Sequence, residues 1–137
     1  MGTKFHLALP CLNINTTRAF YRELLDAQIG RSSVKWIDVN FYDHQVTFTE
    51  SGPFNFESRS YSLHGQVLPS FHFGVILNDQ EWNKILQLLK SKGVKIVSKV
   101  TFLKDKTGEH QSFFVKDPNG YTVEFKCFSK PDEVFKS

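Results

Sequence analysis

The sequence predicts an α+β fold in which one unit is written twice, each copy a strand, a helix and then two or three antiparallel strands. Three observations predict it. The 137 residues are the usual length of one domain, and 40% hydrophobic with 15% aromatic residues supplies an ordinary core. Phe5-His6-Leu7-Ala8-Leu9 and Phe71-His72-Phe73-Gly74-Val75 match in kind at a constant offset. Each run is followed by turn residues, a helical pattern and further strand material.

In the first copy, Asn15-Thr16-Thr17 offers a cap for a helix carrying Phe20, Tyr21, Leu24 and Leu25 on one face. Strands then run from Val34 to Phe41 and from Gln45 to Thr49, joined by a turn at Tyr42-Asp43-His44. Ser51 to Ser70, with Gly52, Pro53, Gly65 and Pro69, reads as a linker with a polar loop. In the second copy, Asn78 with Glu81 three residues on resembles a capping box. Trp82, Ile85, Leu86 and Leu89 follow at helical spacing, and Gly93 ends the helix. Lys95 to Leu103, Gln111 to Lys116 and Tyr121 to Phe128 supply its strands, the last entered through the tight turn Asp117-Pro118-Asn119-Gly120. The expected organisation is a single domain over 1–137: a first module of about 4–50, a linker of about 51–69, a second module of about 70–128 and a C-terminal tail of 129–137.

Charge excludes more than it suggests. A net charge of +3 with scattered Lys and Arg gives no stripe for nucleic acid. Lys84, Lys90, Lys92 and Lys95 read as a solvated surface. No apolar run is long enough for a membrane span, and two cysteines, Cys11 and Cys127, are too few for a disulfide scaffold. The expectation is a cytoplasmic chain with neither a nucleic-acid nor a membrane partner, its cysteines acting as small packing residues.

Strand alternation decides which side chains share a face. His6 and Ala8 point opposite Phe5, Leu7 and Leu9; His72, Gly74 and Ile76 point opposite Phe71, Phe73 and Val75. In the last strand Thr122, Glu124 and Lys126 oppose Tyr121, Val123 and Phe125. With the apolar rows under the helices, His6, His72 and Glu124 are left on the other side. Singly, each has a plain reading: a hydrogen-bonded strand histidine, or a wet glutamate paired with Lys126. Jointly, two imidazoles and a carboxylate supply one face of an octahedral site, suited to Fe(II), Mn(II) or another borderline cation. A cation there offsets the several kcal/mol that an unpaired buried carboxylate costs, in order of magnitude.

The sequence resembles the vicinal oxygen chelate superfamily, which contains glyoxalase I, fosfomycin-resistance enzymes, bleomycin-resistance proteins and extradiol dioxygenases. Three segments carry the resemblance: Phe5-His6-Leu7-Ala8 followed by Thr17-Arg18-Ala19-Phe20-Tyr21, then Phe71-His72-Phe73-Gly74, then Asp117-Pro118-Asn119-Gly120-Tyr121-Thr122-Val123-Glu124-Phe125. It implies two βαβββ modules with mixed sheets curling around a shared metal-binding cup, and it places the metal ligands at His6, His72 and Glu124. Ile37-Asp38-Val39-Asn40-Phe41 and His44-Gln45 are similar to runs in small proteins described as predicted extradiol-type dioxygenases.

Two positions depart from the family pattern. The closing strand of the first module offers Thr47 and Thr49 where some members carry a fourth ligand, which argues against a glyoxalase-like four-ligand site. Ring-cleaving members often have a Tyr ten residues before the Glu, and fosfomycin-resistance enzymes use a similar one; this chain has Phe114 there, which argues against both. Asp38, Asn40, Ser112 and Phe114 are the candidate substrate contacts, Asp38 and Asn40 reading equally as edge-strand polar residues. His110 reads either as a general acid/base at the rim or as a hairpin-end histidine in water. His44 and His64 are expected to be exposed. The implied function is a mononuclear extradiol-type dioxygenase using one divalent ion, Fe(II) ahead of Mn, Zn, Ni or Co. Its substrate is a small oxygen-chelating molecule, and it works as a homodimer. The alternatives are a redox-neutral lyase, isomerase or transferase, and a metal-free ligand-binding protein like those of bleomycin resistance.

Overall fold

Alternation of apolar and polar residues lays down the strands of the first module, and in the computed structural model, which describes residues 2–137, they form one mixed sheet. Its elements are β1 (His6–Cys11), α1 (Ile14–Ala19), a π-helical turn (Phe20–Leu24), β2 (Gln28–Ser32), β3 (Trp36–Phe41) and β4 (His44–Glu50). The strand order is β1-β4-β3-β2, with β1 parallel to β4 and the other pairs antiparallel. The second module repeats this order with β7 (Phe73–Ile76), α2 (Asp79–Ser91), β8 (Ser98–Phe102), β9 (His110–Lys116) and β10 (Thr122–Phe128), arranged β7-β10-β9-β8. Each sheet is open, with four strands, and the twice-written unit is present as expected.

The chain divides into two compact units. The first runs to Phe56 and also includes Asp117–Gly120; the second comprises Glu57–Lys116 and Tyr121–Ser137. In the first, Tyr21 is fully buried, with its ring 4.9 Å from Phe48 and 5.0 Å from Phe20. Its hydroxyl donates to Asp117 Oδ2 at 3.0 Å. Asn119 accepts from the Leu12 N–H and donates to Thr17 Oγ1, so the Asp117–Gly120 turn is bonded into its own unit. In the second unit, Trp82, Ile85, Leu86 and Leu89 form the buried face of α2. Trp82 packs on Phe113 at 5.3 Å and donates its indole N–H to the Phe125 carbonyl. The Asn78 side chain caps α2 by accepting from the Glu81 N–H, and Gly93 takes the left-handed φ of 72° that ends it.

Local structure differs from expectation in four places. The first helix is capped by Asn13, two residues before the predicted cap, and continues as the π-helical turn. The edge strand β2 has no counterpart in the sequence reading; Gln28-Ile29-Gly30-Arg31-Ser32 has one large apolar residue and no alternation to reveal it. In the expected linker, β5 (Ser60–Leu63) and β6 (Gln66–Pro69) form a hairpin. Its turn is His64-Gly65, both at positive φ, as a right-twisted two-residue connection requires. Finally, β7 begins after His72, which places that side chain at the strand entrance.

Candidate functional site

In the second module Glu124 is flanked across the sheet by Phe114 on β9 and Gly74 on β7. A Cβ added at Gly74 would fall 1.7 Å from the Glu124 carbonyl oxygen, so only glycine permits this approach. The carboxylate is buried, with 7% of the residue exposed, and is held from several sides. Its Oε1 accepts the Ser112 hydroxyl at 2.7 Å and lies 3.8 Å from Lys126 Nζ; its Oε2 lies 3.2 Å from His72 Nε2. His72 Nδ1 is 3.0 Å from the Pro69 carbonyl, which only accepts, so Nδ1 carries a proton. The His72 ring meets Phe114 edge-on at 5.9 Å.

Two oppositely shifted groups result. The hydrogen bond to Glu124 raises His72 above the ordinary imidazole range, helped by the Pro69 carbonyl and opposed by burial and Lys126. For Glu124 burial acts upward, but His72, Ser112 and Lys126 outweigh it and hold the carboxyl below its usual range.

The pair fits a divalent metal ion. Two ligand atoms about 2.1 Å from one ion at a right angle lie about 3.0 Å apart, close to the observed separation. The Pro69 carbonyl fixes the tautomer that leaves Nε2 as the donor, as outer partners of metal-bound histidines do. Among the described residues no three His, Cys, Asp or Glu side chains are grouped to hold a metal. His6, the third predicted ligand, is exposed on β1 of the first unit, cross-strand from Gln45 and two residues from Ala8.

Several of the other predicted residues are engaged within the protein itself. Ser112, expected at a substrate, is fully buried and spends its hydroxyl on Glu124. Phe114 is buried under Leu68 of the hairpin, in a cluster with Phe102 and Val100. His110 lies between Phe102 and Phe128 at 5.1 and 4.9 Å, with Nδ1 2.8 Å from the Gly108 carbonyl, so Nε2 carries the lone pair. In the first unit Asp38 is buried; it accepts from Thr47 Oγ1 at 2.7 Å, Arg31 Nε at 2.9 Å and Gln45 Nε2 at 3.1 Å. Burial would raise its carboxyl, yet Thr47, Arg31 and Gln45 together hold it below the usual range. Asn40 is exposed, and its Oδ1 accepts from the Asp43 N–H. His64 is exposed at the hairpin turn; His44 is exposed too, but its Nδ1 accepts from the Phe5 N–H. Sequence reasoning missed Arg31 and the Pro69 carbonyl. Neither belongs to a motif, and a backbone acceptor leaves no residue signature.

Register makes the repeat exact at this level. Ala8 pairs with Thr47 and Thr47 with Asp38, as Gly74 pairs with Glu124 and Glu124 with Phe114. Thr47 therefore occupies the Glu124 position of the first module, and Asp38 the Phe114 position.

A family model described as the Glyoxalase/Bleomycin resistance protein/Dioxygenase superfamily matches residues 5–125. Among solved structures the chain is similar to a glyoxalase/bleomycin resistance protein/dioxygenase from Alicyclobacillus acidocaldarius, with TM-score 0.82, 23% identity, and 97% of this chain and 96% of that one covered. It is also similar to a fosfomycin resistance protein from Listeria monocytogenes, with TM-score 0.68, 16% identity and 97% and 98% covered. A third likeness is to lactoylglutathione lyase from Agrobacterium tumefaciens, with TM-score 0.64, 11% identity and 93% and 94% covered. At these identities the solved structures establish the fold. No curated protein matches the chain in sequence. Among the described residues, no helix is long and apolar enough to cross a membrane.

Proposed function

The chain belongs to the Glyoxalase/Bleomycin resistance protein/Dioxygenase superfamily, and on that premise we propose that it is a mononuclear metal-dependent enzyme acting on a small oxygen-chelating substrate. The observation that carries the reading is the His72–Glu124 pair, with both side chains oriented by their own partners, Pro69 and Ser112. His72, Glu124 and, from the first module, His6 would hold one divalent ion, Fe(II) first. When bound, such an ion would act as a Lewis acid on an oxygen-chelating substrate and, as Fe(II), would support extradiol-type dioxygenation.

The chain's own residues set up the rest. Ser112 occupies Oε1 and leaves Oε2 toward His72, and Gly74 admits the Glu124 backbone. Phe114 covers one flank of His72, its ring edge-on at 5.9 Å and backed by Leu68. His110 holds an acceptor nitrogen at Nε2 and takes a proton from a bound substrate. The active species is a homodimer.

One observation favours a second reading. Phe114 brings no hydroxyl to the carboxylate, which weighs against ring cleavage and equally against chemistry of the fosfomycin-resistance type, and leaves a redox-neutral lyase or isomerase. The lactoylglutathione lyase among the similar structures is named for chemistry of that kind. Anaerobic loading with Fe(II), followed by oxygen uptake on a panel of catechols, separates the two. Uptake that disappears in Glu124→Gln supports dioxygenation. A metal-loaded protein with no uptake on any diol moves the assignment to the redox-neutral branch. A chain that cannot be loaded is a ligand-binding protein.

A further inference from the structure

A pocket of about 240 Å³ in the first unit is lined by Lys4, Gly30, Arg31, Asp38, Val39, Asn40, Asp43, His44 and Gln45. Its hydrogen-bonding capacity is unbalanced. Both Asp38 oxygens are spent on Thr47, Arg31 and Gln45, and Asp43 is paired with Lys4 at 2.9 Å. Asn40 Oδ1 is spent on the Asp43 N–H, leaving its amide hydrogens. The Phe5 N–H donates to His44 Nδ1 at 2.9 Å, so that nitrogen holds a lone pair and the neutral ring carries its proton on Nε2. Arg31 uses only Nε, on Asp38, which leaves both Nη groups to a ligand.

The backbone is shaped to present Arg31. Ile29 pairs with Val39 and Ser32 with Ile37, so Gly30 and Arg31 together face the single residue Asp38 in a β-bulge. Bulges of this kind re-aim a side chain and occur preferentially beside functional sites. Although 76% of the Arg31 side chain is exposed, its position is set twice, by Asp38 on the Nε edge and by the Trp36 ring 5.5 Å beneath the guanidinium. An anchored guanidinium with both Nη groups unspent is the fork that accepts two oxygens at once.

We propose that this pocket binds an oxyanion group, a carboxylate or a phosphate-like group, through Arg31, Asn40 and His44. Asp38 is then a positioning residue that orients Arg31 from behind. The site stands independently of the metal assignment. The oxyanion is either part of a substrate or a free anion, and the chemistry of capture is the same.

The test is a ¹H–¹⁵N titration of the metal-free protein with inorganic phosphate and with acetate at constant ionic strength, following Arg31 Nε–H and the Asn40 amide. Saturable shifts at these groups are expected. Arg31→Lys keeps the charge but loses the fork and weakens binding about tenfold. Asn40→Asp keeps the acceptor for the Asp43 N–H, replaces the donors with a like charge, and abolishes binding. Shifts that never saturate, or both variants binding as the wild type does, overturn the proposal. In metal-loaded protein, 2,3-dihydroxybenzoate is compared with catechol. An Arg31-dependent gain for the carboxylate assigns the oxyanion to the substrate. Phosphate binding without that gain assigns it to a free anion. Failure of metal loading removes this last comparison and leaves the phosphate result standing.

Discussion

Glu124 shows how a buried carboxylate is kept ionised. Desolvation acts against it, and the hydrogen bonds from His72 and Ser112 with the charge of Lys126 win. Because its folded pKa is lowered, its contribution to stability is present above the ordinary carboxyl value and is lost as pH falls through the lowered one. His72 is raised, so its contribution is complete below about pH 6.5 and is lost as pH rises through its folded value. In metal-free protein the stability gap between wild type and Glu124→Gln should therefore be widest between about pH 4.5 and 6.5, at about 1–3 kcal/mol, and narrow on both sides. Thermal unfolding across pH checks this; a flat gap contradicts the pairing. A metal ion bound there would displace the His72 proton, so affinity for the ion should rise with pH through the same upper range. Gly74→Ala forces a methyl into the Glu124 backbone, and the expected result is separation of β7 from β10 with loss of metal retention. Denaturant unfolding and elemental analysis of that variant measure both.

At the scale of elements, the strands and α2 were legible because their buried faces follow regular periods: Trp82, Ile85, Leu86 and Leu89 by helical spacing, Val123 and Phe125 by alternation. What escaped lacks a period. In β2, Ile29 is the one large apolar residue, and its bulge breaks even the polar alternation. The β5–β6 hairpin left a faint signal in Tyr61, Leu63 and the His64-Gly65 turn, outweighed by the Gly, Pro and Ser around it. The hairpin matters because Leu68 packs on Phe102 and Phe114, beside the residues that flank Glu124. Leu68→Ala should cost about 2–4 kcal/mol of stability, read by denaturant unfolding. The Asp117–Gly120 turn was legible as a motif but not in its role. Asn119 bonds to Leu12 and Thr17, so Asn119→Ala leaves partners unsatisfied and should cost about 1–3 kcal/mol.

Across the whole chain, the same strand order appears twice, and the repeat was visible from Phe5-His6 and Phe71-His72 alone. Divergence between the copies explains why the site was only partly legible. The position that carries Glu124 in the second module carries Thr47 in the first, whose own buried carboxylate lies one strand over at Asp38 and is bound to Arg31. Alternation placed His72 and Glu124 on one face, and the structure brings their side chains to 3.2 Å. It could not show that Ser112 serves the glutamate rather than a ligand, because that depends on cross-strand register. The central claim, that these side chains hold one cation, is tested most directly by elemental analysis of untagged protein together with its His72→Ala and His64→Ala variants. One divalent ion per chain is expected, lost in His72→Ala and kept in His64→Ala. A wild-type chain that takes up no ion, or a His72→Ala variant that retains it, would show that these side chains are not the ligands.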